Sequence, residues 1–158
     1  MDATPPFRSR IQLRWADIDA NFHMRHSVYY DLGAMQRMEV LTALGVSLAY
    51  MRENSLGPVL LREECVFRRE IKLEDEVWSE VLVSQLSRDH KRFSFEHRIT
   101  KGDGTLCATL VVDGAWIDTR IRKMCMPPPF AREALDRIPR SEGFTWLEPK
   151  QPGASGST

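Results

Sequence analysis

Residues 15–29 read Trp-Ala-Asp-Ile-Asp-Ala-Asn-Phe-His-Met-Arg-His-Ser-Val-Tyr, the densest run of chemistry-bearing side chains in the sequence. Asp17 and Asp19 are followed by His23, Arg25 and His26, and then by residues with helical periodicity. A helix N-terminus presents backbone N–H groups that have no intrahelical acceptor. With the helix dipole, these stabilise an oxygen that gains negative charge during a reaction. A carboxylate just upstream can act on the carbon bearing that oxygen, as a nucleophile or by deprotonating a water. Asp19 precedes His26 by seven residues, so a folded-back loop could carry it to the helix entrance. Two other readings use the same residues. Asp17 and Asp19 could cap the helix or pair with Arg14 and Arg25. As a metal set, D-x-D-x-x-x-H-x-x-H has the right residue types but not a strong ligand spacing.

The elements that must position this segment are marked by periodicity. Over residues 7–15, Phe7, Ile11, Leu13 and Trp15 alternate with Arg8, Arg10, Gln12 and Arg14, the pattern of a half-buried strand. Over residues 27–44, Val28, Leu32, Met35, Met38, Leu41 and Leu44 recur at helical steps, giving one helix of roughly 27 Å. Ser27 can cap its first turn, Asp31 complements the positive end of the dipole, and Gly45 can supply a left-handed stop. A short helical turn is expected around residues 47–53.

Four further strands are expected, over residues 59–71, 77–86, 92–100 and 106–118, with Lys101-Gly102-Asp103-Gly104 as a hairpin turn. Strand, long helix, then consecutive strands implies an α+β domain with one antiparallel sheet on one helix. After Pro127-Pro128-Pro129, residues 130–138 have the spacing of a short helix. Phe144, Trp146 and Leu147 could pack on their own domain or dock on a second subunit. The composition of residues 151–158 is that of a disordered tail.

The totals exclude several classes. Lys plus Arg and Asp plus Glu number 22 each among 158 residues, which gives no bulk attraction to nucleic acid or an anionic membrane. Residues 1–7 lack the pattern of a signal peptide, and no segment has the roughly 20 apolar residues of a membrane span, so a cytoplasmic location is expected. Cys65, Cys107 and Cys125 are far apart and form no C-x-x-C pair, so neither a disulfide framework nor a thiolate metal site is implied.

The segment at residues 15–29 resembles the signature of the 4-hydroxybenzoyl-CoA thioesterase-like branch of the hotdog superfamily. That signature is D-x-D-x-x-G-H-x-N-x-x-x-Y, between the first strand and the central helix. Asp17, Asp19, His23 and Tyr29 stand at the matching positions. The order of elements and Lys91-Arg92-Phe93-Ser94-Phe95-Glu96-His97 are also similar to the family, and the resemblance covers roughly residues 8–120. This chain departs at Phe22, where the family has glycine, and at Arg25 and His26, where asparagines stand.

The resemblance implies a hotdog fold, an antiparallel sheet of about five strands wrapped on one long central helix. The domain would occupy residues 1–138, with a C-terminal tail over 139–158. It implies hydrolysis of an acyl-CoA thioester without metal or redox cofactor, by a homodimer or a dimer of dimers. Asp19 is the implied catalytic carboxylate, and the backbone N–H of His26 would polarise the thioester carbonyl; the His26 side chain also matches a histidine of some members. Substrate-binding candidates are His23, Tyr29, Glu64, Lys91 and Arg92, set against structural readings of each. His23 would otherwise support the loop bend, and Tyr29 would pack. One of Glu63 and Glu64 must face the helix by alternation, and either could instead be ion-paired near Arg62 or Arg68. Lys91 and Arg92 would lie near the nucleotide end of coenzyme A, or simply face water in a turn. Two rival functions remain at this level. One is a hotdog dehydratase or hydratase, whose G-H-F-P and S-G-D-x-N-x-x-H signatures are absent here. The other is a non-catalytic acyl-thioester binding module whose pocket Phe22 blocks.

Overall fold

The computed structural model describes residues 7–149; the tail expected to be disordered, 151–158, lies outside them. Strand β1 (Arg8–Ile11) leads through extended chain into a 3-10 turn at Trp15–Asp17 and then the long helix α1 (His26–Ala43). The short helix α2 (Leu48–Glu53) precedes β2 (Leu56–Phe67), β3 (Val77–Ser87), β4 (Arg92–Lys101) and β5 (Leu106–Asp118). The chain closes with β6 (Lys123–Met124), α3 (Pro129–Asp136) and β7 (Arg140–Leu147). The sheet runs β1-β3-β4-β5-β2 with every neighbour antiparallel, which is the expected hotdog arrangement.

Two strands come in addition to those expected. β6 pairs with β5, and β7 pairs in parallel with β3. β1 covers β3 only from Val77 to Glu80, which leaves the edge from Val83 to Ser87 open for β7. Part of the expected tail is therefore sheet. Its aromatic cluster packs on its own domain: Phe144 and Trp146 lie against the main core, their rings 5.2 Å apart. The guanidinium of Arg88 sits 4.0 Å from the Trp146 ring centre.

Bulges at Leu61 in β2 and Ser84 in β3 interrupt the ladders and add curl. The curled sheet wraps α1, and Gly33 marks the close approach, since a Cβ there would lie 2.4 Å from Leu110 Cδ2. On one side of that contact, Val40, Leu41 and Leu44 pack against Val81, Phe95 and Trp116. On the other side, Met24, Val28 and Tyr29 pack against Ile71, Ile99 and Ala108.

A hydrogen-bonded polar layer separates these apolar clusters. Ser79 Oγ donates to Gln36 Oε1 at 2.6 Å, and the Gln36 amide donates to the Ser79 carbonyl at 2.7 Å. Gln36 Oε1 can only accept, so His97 Nδ1, at 3.0 Å, carries the proton. His97 Nε2 then accepts from Arg37 Nη1 at 3.1 Å. Burial together with the Arg37 charge pushes the His97 pKa down to about 3, so the ring is neutral.

The start of α1 differs in detail from the expectation. The cap position falls on Arg25, which is extended and makes no side-chain cap because a guanidinium has no acceptor; its backbone N–H donates to the Asp17 carbonyl at 2.9 Å. Ser27 lies inside the first turn and accepts from the Arg25 guanidinium. Gly45 ends the helix with φ 90° as expected, and the Val46 N–H closes back onto the Leu41 carbonyl at 2.8 Å. No helix among the described residues is long and apolar enough to cross a membrane.

Candidate active site

A tight loop carries Asp19. The Asp19 N–H donates to the His23 carbonyl at 2.9 Å, and the Phe22 N–H returns to the Asp19 carbonyl at 3.0 Å. To close this loop Phe22 takes φ 63°, the left-handed conformation that glycine adopts without strain. The family signature has glycine here, so the backbone shape is kept although the residue has changed. Asp19 Oδ1 accepts the N–H of Asn21 at 2.8 Å and makes a longer contact with that of His23 at 3.4 Å. These bonds hold the carboxylate, and Oδ2 takes part in neither of them.

The two aspartates have separate tasks. Asp17 is buried and receives the Arg14 backbone N–H at 2.8 Å and its guanidinium at 2.8 Å. Those bonds to Arg14 hold its pKa below the usual carboxylate range. Arg25 turns to the Ala16 carbonyl and to Ser27, not to Asp19. The ion-pair reading therefore holds for Asp17 alone. Among the described residues, no cluster of three or more His, Cys, Asp or Glu side chains is arranged to hold a metal.

Asp19, His23, His26 and Tyr29 share one open recess of about 380 Å³ at the entrance to α1. Among the described residues no acceptor is found for the backbone N–H of His26, the first residue of α1. Tyr29 is buried with its ring edge-on to Phe67, centres 4.9 Å apart, and burial pushes its hydroxyl pKa up to about 12. His23 Nε2 lies 3.7 Å from Glu70 at the rim. The cysteines are poor nucleophiles: burial raises Cys65 to about 11 and also raises Cys107 and Cys125.

Three expected substrate-binding residues are elsewhere in the subunit. Alternation after the Leu61 bulge turns Glu63, not Glu64, toward the helix, where its Oε1 lies 3.6 Å from Arg37. Glu64 is exposed and pairs with Arg62. Lys91 and Arg92 occupy the β3–β4 turn, where they line a second recess of about 380 Å³ with Arg88 and Leu147. Through β5, Arg92 aligns with Val59 of β2 and Ile99 with Phe67. The turn therefore sits eight residues along β2 from Phe67, roughly 26 Å away.

Sequence reasoning passed over Phe67, Arg68 and Arg69 as site residues, although all three line the Asp19 recess. The signal available was the end of the apolar alternation in β2 followed by two adjacent arginines. Gln36, Arg37 and His97 were passed over as a core network because a polar residue on a helix or a strand reads as solvent-facing until what lies opposite it is known.

Comparison with known proteins fits this geometry. Residues 13–135 match the thioesterase-like superfamily, a span that holds β1's exit, the Asp19 loop, α1 and the sheet through α3. The chain belongs to the thioesterase-like superfamily. No curated protein matches this thioesterase-like chain. Among solved structures it is similar to the Staphylococcus aureus protein SAV2348 in complex with CoA, at 22% identity over 90% of this chain and 89% of that one, TM-score 0.78. It is also similar to a DHNA-CoA thioesterase from Staphylococcus aureus, at 20% identity over 82% of this chain and 87% of that one, TM-score 0.72. A 1,4-dihydroxy-2-naphthoyl-CoA thioesterase from Synechocystis aligns at 17% identity over 83% and 96%, TM-score 0.74. At these identities the likeness of the thioesterase-like chain to its neighbours concerns the fold.

Proposed function

We propose that this thioesterase-like protein hydrolyses an acyl-CoA thioester to the free acid and coenzyme A. The observation that carries the reading is that Asp19 and His26 line one recess, and that among the described residues the His26 backbone N–H has no acceptor. A thioester carbonyl at that N–H gains stabilisation as its oxygen becomes negative. Asp19, held through Oδ1, offers Oδ2 to attack the carbonyl carbon or to take a proton from water. His23 and Tyr29 shape the recess, and Phe67 forms its apolar wall.

The unit of function in this reading is a homodimer, or a dimer of such dimers. β2 is an edge strand of 12 residues with Leu60, Leu61, Val66 and Phe67 exposed, and an edge of that length and character is suited to pairing. Antiparallel pairing of β2 with its copy reverses the strand. The Lys91–Arg92 turn of the second copy then comes to the Phe67 end of β2, where the phosphates of coenzyme A can meet it at the far end of a pantetheine arm that leaves the Asp19 recess, and Glu64 faces the junction.

Asp19→Asn tests the chemistry. Coenzyme A release from a panel of acyl-CoA thioesters, followed with a thiol-reactive dye, is expected to fall at least about 100-fold with an unchanged melting curve. Unchanged release would sink the assignment. Tight acyl-CoA binding by the native protein with no thiol released would identify a binding module instead.

A further inference from the structure

Beside Asp19 the recess carries cationic groups that thioester hydrolysis itself does not use. β2 ends at Phe67, and the next two N–H groups, of Arg68 and Arg69, both donate to the Cys107 carbonyl, at 2.7 and 3.1 Å. This shared acceptor turns the chain out of the sheet and leaves both side chains exposed. Among the described residues neither guanidinium forms an ion pair with a carboxylate. The nearby basic groups differ in this respect: Lys101 is 2.9 Å from Asp75, Arg62 pairs with Glu64, and Arg37 faces Glu63. Glu70, the adjacent acid, is turned toward His23. Arg69 Nη1 donates to the Arg68 carbonyl at 3.0 Å, which orients its guanidinium.

Arg68, Arg69 and Glu70 line the Asp19 recess and also a neighbouring one of about 450 Å³ walled by Lys101, Asp103 and Thr105. The two recesses meet across the arginine pair. An anion bound there lies close to the carbonyl site. The phosphates of coenzyme A are separated from the thioester sulfur by the whole pantetheine arm, so the anion has to belong to the acyl group. A second negative charge near Asp19 is unfavourable on its own, and two unpaired guanidiniums offset that repulsion while offering forked donors that match a carboxylate.

We propose that Arg68 and Arg69 form an acyl-end anion site, and that the preferred substrates are monothioesters of dicarboxylic acids. The inference rests on the thioesterase reading of the Asp19 recess. Its test compares glutaryl-CoA with valeryl-CoA, and adipoyl-CoA with hexanoyl-CoA, each pair equal in carbon number and differing in the terminal carboxylate. The expected result is a kcat/KM ratio favouring the carboxylated member by about tenfold or more in the native protein, collapsing in Arg68→Gln/Arg69→Gln. Calorimetric binding of the same pairs to Asp19→Asn protein, with and without the arginine substitutions, reads the preference without turnover. A ratio near one in the native protein overturns the proposal. So does an equal loss on both members of a pair in the double variant, which would place the arginines on coenzyme A instead. Failure of the hydrolase reading shows up separately, as no thiol released from any of these thioesters by the native protein, and failure of the Asp19 assignment as undiminished release by Asp19→Asn.

Discussion

Arg14 grips Asp17 through its guanidinium at 2.8 and 3.3 Å and its backbone N–H at 2.8 Å, two residues before Asp19. That clasp closes the 3-10 turn from which the Asp19 loop departs, and the Asp17 carbonyl in turn fixes Arg25 at the entrance to α1. Asp17 is thus a positioning residue. Asp17→Asn is expected to lower stability by about 1–2 kcal/mol, since Arg14 is largely exposed and solvent screens part of the interaction. Its kcat should fall less than that of Asp19→Asn; urea midpoints and turnover of the two variants, measured side by side, check this order.

Phe22 bears a bulky side chain at φ 63° and is 72% exposed, so it loses conformational freedom without gaining burial. Phe22→Gly relieves the left-handed strain at the cost of a more flexible unfolded chain, and a net gain of about 0.5–1 kcal/mol is expected. Phe22→Ala keeps the strain and should show no such gain. Phe22 does not line the Asp19 recess, so turnover in the glycine variant should stay within about twofold of native. A protein inert until Phe22 is removed would instead show that this ring blocks the site.

His97 gives stability a particular pH dependence. In the unfolded chain the imidazole takes a proton near 6.5, and in the folded core only near 3. Between those values the unfolded state holds more protons, so stability is complete above 6.5 and falls by up to about 1.4 kcal/mol per unit as the pH drops below it. Asp17, Asp75 and Asp118 all have lowered pKa values, so their stabilising contributions are lost only near or below the ordinary carboxylate range. Denaturation at a series of pH values from 7 to 4.5 should therefore reveal the histidine limb, and His97→Gln should flatten it even if the variant is less stable throughout.

Trp146 joins β7 to the rest of the fold by packing against the main core and under the guanidinium of Arg88, and within β7 it is braced by Phe144 and by Arg140, 4.9 Å from its ring centre. Trp146→Ala is expected to cost about 2–3 kcal/mol, below the usual range for a fully buried tryptophan because the ring is only partly covered. Hydrogen exchange should show the added opening at β7 and the Val83–Ser87 segment of β3, with the Asp19 loop unaffected.

The sequence by itself determined the long helix, its glycine stop and the antiparallel strands, because each is encoded locally. Apolar spacing reports the period of an element, and a glycine just past the last apolar repeat reports its stop. What lies opposite an element is not encoded locally, and the tertiary structure alone decided it. The bulge at Leu61 and the register with β5 select Glu63 over Glu64 to face α1. The short reach of β1 along β3 makes room for β7 where composition suggested a tail. Gln36 and His97 become core residues because each meets the other's hydrogen-bonding group between helix and sheet, 61 positions apart in the chain. Arg68 and Arg69 come to stand beside Asp19 because a carbonyl on β5 turns the chain there. Side-chain periodicity fixes which face of an element is apolar; the partner of that face depends on contacts between distant segments, which form only when the chain folds.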